Sequence, residues 1–131
     1  MSRQARQTAD LALLTATVLA ARQAEMAALK AEDAALVALL STLDSALSSR
    51  LSATTALREA DPAQLAGADP RWQGWIAARK QTINMERARL RAAQDIAHNR
   101  LTQAFGRNRI AETLHKSARE ADMAARARRA D

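Results

Sequence analysis

Apolar side chains in the first half of the chain recur at helical spacing. Leu29, Leu36, Leu40, Leu43 and Leu47 step by seven, four, three and four, and Met26 and Leu19 carry the stripe backward with Arg22 interrupting it. A mean repeat of about 3.5 residues marks a helix that packs along a narrow seam against another helix. Asp33 and Arg50 fall where the seam wants apolar groups, so the ideal pattern is expected to loosen there, and Asp33 reads as a polar seam position that helps set register. No helix breaker precedes Pro62. The pattern therefore predicts one helix over about 3–58. At ~1.5 Å per residue it would be about 80 Å long, too long to be buried within a compact domain of this size.

The second half holds a stricter repeat. Ile76, Ile83, Leu90, Ala97, Ala104, Ala111, Ala118 and Ala125 follow one another every seven residues. A sustained heptad implies left-handed supercoiling against a partner helix. The second core line is read as Trp72, Ala93, Leu101, Leu114 and Ala121. The seam is bulky at Trp72 and Ile76 and thins to alanine toward the C-terminus. Trp72 is read as a core plug, whereas Trp75 faces the loop or a partner. Gly106 is the weak link, at ~1 kcal/mol relative to alanine.

Between the two patterns lies EADPAQLAGADPRW, residues 59–72, with two Asp-Pro pairs. Asp is a good N-cap, and Pro is tolerated in the first helical turn, where its missing N–H is not needed. Residues 62–66 read as one helical turn ended by Gly67, with Asp69 capping a second helix from Pro70 to about residue 128. Two helices of similar length joined by a short loop pack antiparallel. The expected fold is all-α, a long antiparallel two-helix coiled-coil hairpin forming a single unit over 1–131, with its loop at 59–69. Residues 107–129 would pack on 3–25, and that alanine-lined end should fray first.

Composition agrees. Apolar residues make up 48% of the chain but aromatics only 2%, so alanine supplies much of the apolar share. Alanine favours helix because it loses no side-chain entropy. It also buries little area at ~25 cal/mol per Å², enough for a thin seam and not for a thick core. The net charge of +6 is uneven: residues 1–66 hold six Lys/Arg against seven Asp/Glu, and residues 67–131 hold fourteen against seven. No stretch reaches the ~18–20 apolar residues of a membrane span. Arg3 and Arg6 before LALLTATVLAA (11–21) loosely resemble a signal peptide, but Asp10 abuts the run and Thr15 and Thr17 interrupt it. The segment is expected to form the first turns of helix one.

Chemistry is sparse. Without cysteine there is no disulfide, thiolate nucleophile or Cys-based zinc site. His98 and His115 are seventeen residues apart, not at the i, i+4 spacing of a metal pair, and read as solvated helix-face residues. Glycine-rich phosphate loops and nucleophile elbows are lacking. No catalytic, cofactor or metal role is expected. The arginines Arg87, Arg89, Arg91, Arg100, Arg107, Arg109, Arg126, Arg128 and Arg129 are spread round the second helix and interleaved with acids, which disfavours nucleic acid as the ligand. Alanine opposite them is too weak an apolar face for a membrane surface. An acidic protein partner fits best.

The segment RWQGWIAARKQTINMERARLRAAQ (71–94), with its aromatic and hydrophobic pair before a run of Gln, Arg and Glu, resembles the start of helix two in the FliJ/YscO-type stalk proteins of bacterial flagellar and type III export. GRNRIAETLHKSAREADMAARARRAD (106–131) is similar to the basic C-terminal arm of that family. The resemblance covers nearly the whole chain as a pattern. It implies a cytoplasmic, non-enzymatic coiled coil that reaches the inner membrane only through partners. It implies binding to a hexameric export ATPase, contact with the membrane export gate and help in chaperone traffic. By placement, Arg107, Arg109, Arg119, Arg126, Arg128 and Arg129 would meet the ATPase ring and Trp75 another partner. Two alternatives stay open: a generic coiled-coil adaptor, including a homodimer that forms a four-helix bundle, and a nucleic-acid-associated basic helical protein.

Overall fold

The structure is a computed structural model that describes residues 1–56 and 68–131. The chain is an all-α helical hairpin, with two long helices packed on each other and no strand among the described residues. Helix α1 spans Arg3–Ala56 and helix α2 spans Ala68–Ala130. Residues 59–67 of the expected loop, with its helical turn at 62–66 and Gly67, and the last two residues expected in helix one lie outside the described residues.

Local chemistry explains why α1 starts where it does. The Ala5 N–H donates to Ser2 Oγ at 3.0 Å, and the Arg6 N–H donates to the Ser2 carbonyl at 3.1 Å. Ser2 is therefore an N-cap that satisfies one of the helix's unpaired donors. No Gly or Pro then interrupts α1. Its threonines, which favour strands by propensity, turn their hydroxyls back on the preceding turn: Thr15 donates to the Leu11 carbonyl and Thr17 to that of Leu13, both at 2.9 Å. Residues 11–21 lie wholly within this helix. Helix α2 begins two residues earlier than the Asp-Pro pattern suggests, so Asp69 sits inside its first turn rather than before it. There a carboxylate favours the helix macrodipole, and Pro70 removes an N–H that has no partner in the helix.

The chain groups into two compact units, each made of one stretch from each helix. Unit 1 contains Met1–Ala28 with Gln94–Asp131, and unit 2 contains Leu29–Ala93. Within each, contacts between the helices run antiparallel: Ser2 with Asp122, Thr8 with His115 and Glu25 with Arg100 in unit 1; Asp33 with Arg87 and Arg50 with Asp69 in unit 2.

Burial reveals the seam directly. Along α1 a line of buried and half-buried positions steps by three and four in alternation from Ala5 to Arg50, with Ala9 and Glu25 half-buried beside it. The expected loosening at Asp33 and Arg50 does not occur. Both stay in the seam because each has an oppositely charged partner across it. Along α2 the first line is as expected, with Ile76, Ile83, Ala97, Ala104, Ala111 and Ala118 buried and Leu90 and Ala125 half-buried. The second line differs. It runs through Lys80, Arg87, Gln94, Leu101, Asn108, His115 and Asp122. Of the apolar residues expected there, Leu101 belongs to the line, but Leu114 and Ala121 are exposed one position away from it, and Ala93 is half-buried beside it. Trp72 is half-buried, not enclosed.

Two opposite stability changes check this packing. Ile83 is fully buried, so Ile83→Ala is expected to lower the unfolding free energy by about 2–4 kcal/mol. A Cβ added at Gly106 meets nothing within 4 Å, so Gly106→Ala is expected to raise it by up to about 1 kcal/mol. Urea titrations followed by helical circular dichroism measure both.

Candidate partner-binding surfaces

The polar seam residues are paired one by one. In unit 2 the Arg87 guanidinium grips the Asp33 carboxylate, Nε donating at 2.9 Å and Nη2 at 3.4 Å. Arg50 holds Asp69 in the same two-point way, at 3.0 and 2.9 Å. Lys80 pairs with Asp44. In unit 1 the Asn108 amide is buried and donates to Thr15 Oγ1 at 3.1 Å and to the Ala12 carbonyl at 3.4 Å. Nδ1 of His115 lies 3.1 Å from Thr8 Oγ1. Thr8 Oγ1 is also within bonding distance of the Gln4 and Ala5 carbonyls, to which it can donate only its one proton. His115 is thus a half-buried seam residue, not the solvated histidine expected from spacing; His98 is exposed. The Ser2 N–H donates to Asp122 Oδ2 at 2.8 Å, tying the start of α1 to α2.

These contacts set the charge state of two carboxyls. Hydrogen bonds from Arg87, with the positive charges of Arg87 and Arg91, hold Asp33 below the usual aspartate value against a smaller opposing effect of burial. The backbone N–H of Ser2, then its hydroxyl, do the same for Asp122, helped by the charge of Arg126.

The arginines picked out by sequence do not gather into one cluster. On the heptad of α2, Arg107 and Arg128 each lie one residue before a second-line position, on one flank of the seam. Arg119 and Arg126 each follow a first-line residue, on the opposite flank, and Arg109 stands just outside that flank. Glu112 shares the flank of Arg119, and grooves there are lined by both signs, such as that of Phe105, Asn108, Arg109, Glu112, Thr113 and Lys116. Arg129 falls on the second line itself, and its side chain is exposed. All six belong to unit 1, where residues 1–28 and 94–131 hold eleven Lys/Arg against seven Asp/Glu. Trp75 belongs to unit 2 and is 58% exposed.

Sequence reading allowed for an apolar stripe outside the seam, as the route to a four-helix bundle, but named none of its residues. Leu11, Leu14, Val18, Ile110 and Leu114 are exposed in unit 1. A signal was available, because these residues are surplus to a seam already filled at heptad spacing. Leu114 was absorbed into the seam by its apolar character. Among the described residues no group of three or more His, Cys, Asp or Glu side chains could hold a metal ion, and no helix is long and apolar enough to cross a membrane.

The pH dependence of stability follows from the two lowered carboxyls. Between their folded and unfolded pKa values the unfolded chain binds more protons, so stability rises with pH there. The contribution is complete above the ordinary aspartate value of about 3.9 and is lost as pH falls through the lower folded value. The melting temperature is expected to change little between about pH 7 and 5 and to drop below about pH 4. Asp33→Asn should lower it at neutral pH and shrink the acid drop, as read by thermal melts across that range.

No protein-family model, no curated protein and no solved structure matches this chain.

Proposed function

We propose that the chain is a non-enzymatic coiled-coil accessory of the flagellar or type III export apparatus that works by binding the export ATPase and the export gate and by assisting chaperone traffic. The observation that carries this reading is the uneven make-up of the helical pair. Unit 1 combines a seam line of alanine, an excess of basic residues and the exposed Arg126, Arg128 and Arg129 near the end of α2. Such a surface offers strong donors for carboxylates on a protein rim. The grooves along α2 are open to solvent and alternate in charge, which suits a contact surface better than a substrate pocket. The scatter of the arginines over both flanks, with acids between them, argues for protein over nucleic acid, whose phosphate backbone rewards a continuous basic track.

The test is a reconstituted hexameric export ATPase, assayed for turnover and for co-sedimentation with this protein. Wild type is expected to pellet with the hexamer and raise turnover several-fold. Arg126→Glu, Arg128→Glu and Arg129→Glu combined should abolish both effects while leaving helicity unchanged. Neither co-sedimentation nor a change in turnover with the wild-type chain would overturn the export reading.

A further inference from the structure

The exposed apolar residues of unit 1 form a ridge. On α1, Leu11, Leu14 and Val18 are spaced i, i+3, i+7, the spacing of one helix face. On α2, Ile110 and Leu114 are spaced i, i+4. Leu14 is 61% exposed, Ile110 63% and Leu114 48%, so the hairpin itself does not cover them.

The register brings the two sets to the same flank. Arg100 Nη1 donates to Glu25 Oε1 at 3.4 Å. Each of these residues immediately precedes a seam position, Leu101 and Met26 respectively. In an antiparallel pair, seven residues forward on α2 answer to seven backward on α1. One heptad on, Arg107 before Asn108 stands opposite Val18 before Leu19. Two heptads on, Leu114 before His115 stands opposite Leu11 before Ala12. The bonds from Asn108 to Thr15 and between His115 and Thr8 place α2 against that same part of α1.

Within the ridge this flank carries one uncommitted charge, Arg107; Arg128, on the same flank, lies two heptads beyond Leu114. Arg107 makes no ion pair among the described residues, and the register gives it Val18 where the preceding heptad gives Arg100 a glutamate. The flank's carboxylate, Glu25, is already bonded by Arg100 and by Arg22 at 3.3 Å. An apolar ridge along two adjacent helices, interrupted by one cation without an anion, is complementary to a third helix with an apolar stripe and a carboxylate.

We propose that this flank of unit 1 docks an acidic amphipathic helix from another protein, with its apolar stripe on Leu11, Leu14, Val18, Ile110 and Leu114 and a carboxylate on Arg107. A second copy of the chain fits less well. Paired through the same flank it would bring another Arg107 and an already occupied Glu25, leaving guanidinium groups desolvated without anions. The proposal rests on the reading of this chain as a binder of protein partners and names the chemistry of the partner at one surface.

The test uses two designed helical peptides with identical leucine stripes, one flanked by glutamate and the other by lysine, titrated by fluorescence anisotropy against the full chain. The glutamate peptide is expected to bind and the lysine peptide not. Leu14→Asp, Leu114→Asp and Arg107→Glu should each weaken the glutamate peptide at least tenfold with helicity unchanged, since all three side chains are outside the seam. Arg107→Glu should also admit the lysine peptide. Failure of the glutamate peptide to bind, equal binding of both peptides, or a dimer in light scattering that Leu14→Asp dissolves would overturn the proposal. A chain that binds the glutamate peptide but leaves the export ATPase unaffected sinks the export reading alone; the opposite pair of results sinks the docking surface alone.

Discussion

Polar side chains on the inner line of α2 must each find an answer on α1, and that requirement organises the rest of the hairpin. Five of the eight first-line residues of α2 are alanines, whose small side chains would fit α1 almost equally well after a slip of one heptad. Asn108, Arg87 and Asp122 would not. Each would leave behind a specific acceptor or donor, and an unpaired polar group in a half-dry seam costs more than the bond it lost. Stability comes mainly from Ile76, Ile83 and the leucines of α1, which bury apolar area. Register comes from the polar line. Separating the two tasks explains how a seam so poor in large side chains can still define one alignment within each unit.

The same separation explains the outside of unit 1. With the seam complete, any further large apolar residue has to lie on a flank, and Leu11, Leu14, Val18, Ile110 and Leu114 do. They stand outside the two seam lines and leave apolar area in water, a cost that a contact with another molecule would relieve. The basic residues follow a similar rule. Arg50, Lys80, Arg87 and Arg100 point across the seam at carboxylates, while the arginines near the end of α2 remain in solvent.

Much of the fold was legible in the sequence because helix propensity, the lack of breakers and a strict heptad all point the same way. The first line of α2 was readable residue by residue from Ile76 to Ala125. The second line was not, for a clear physical reason. Reading by hydropathy assumes that seam positions are apolar, so it shifted to Leu114 and Ala121 and passed over His115 and Asp122. A polar residue becomes acceptable in a seam only when its partner stands opposite, and the partners here are 19 to 120 residues away in the chain. Asp33 was placed correctly because its stripe in α1 is otherwise leucine-rich. Ser2 was missed because a cap is recognised by the three residues after it, and that segment carries no apolar periodicity of its own. The arginines were legible as residues but not as a pattern, since their distribution over both flanks emerges only once the seam is located.

The alanine line of unit 1 has a mechanical consequence. Large side chains interlock like teeth and oppose sliding of one helix along another, whereas alanines make shallow contacts that slide readily. Resistance to an axial pull on α2 in unit 1 then falls on a few discrete pegs: the Asn108 amide, the His115 ring and the Asp122 carboxylate. Such a joint yields in steps rather than by smooth creep, because each peg holds until its bond breaks and can lodge again only where another acceptor or donor comes into reach.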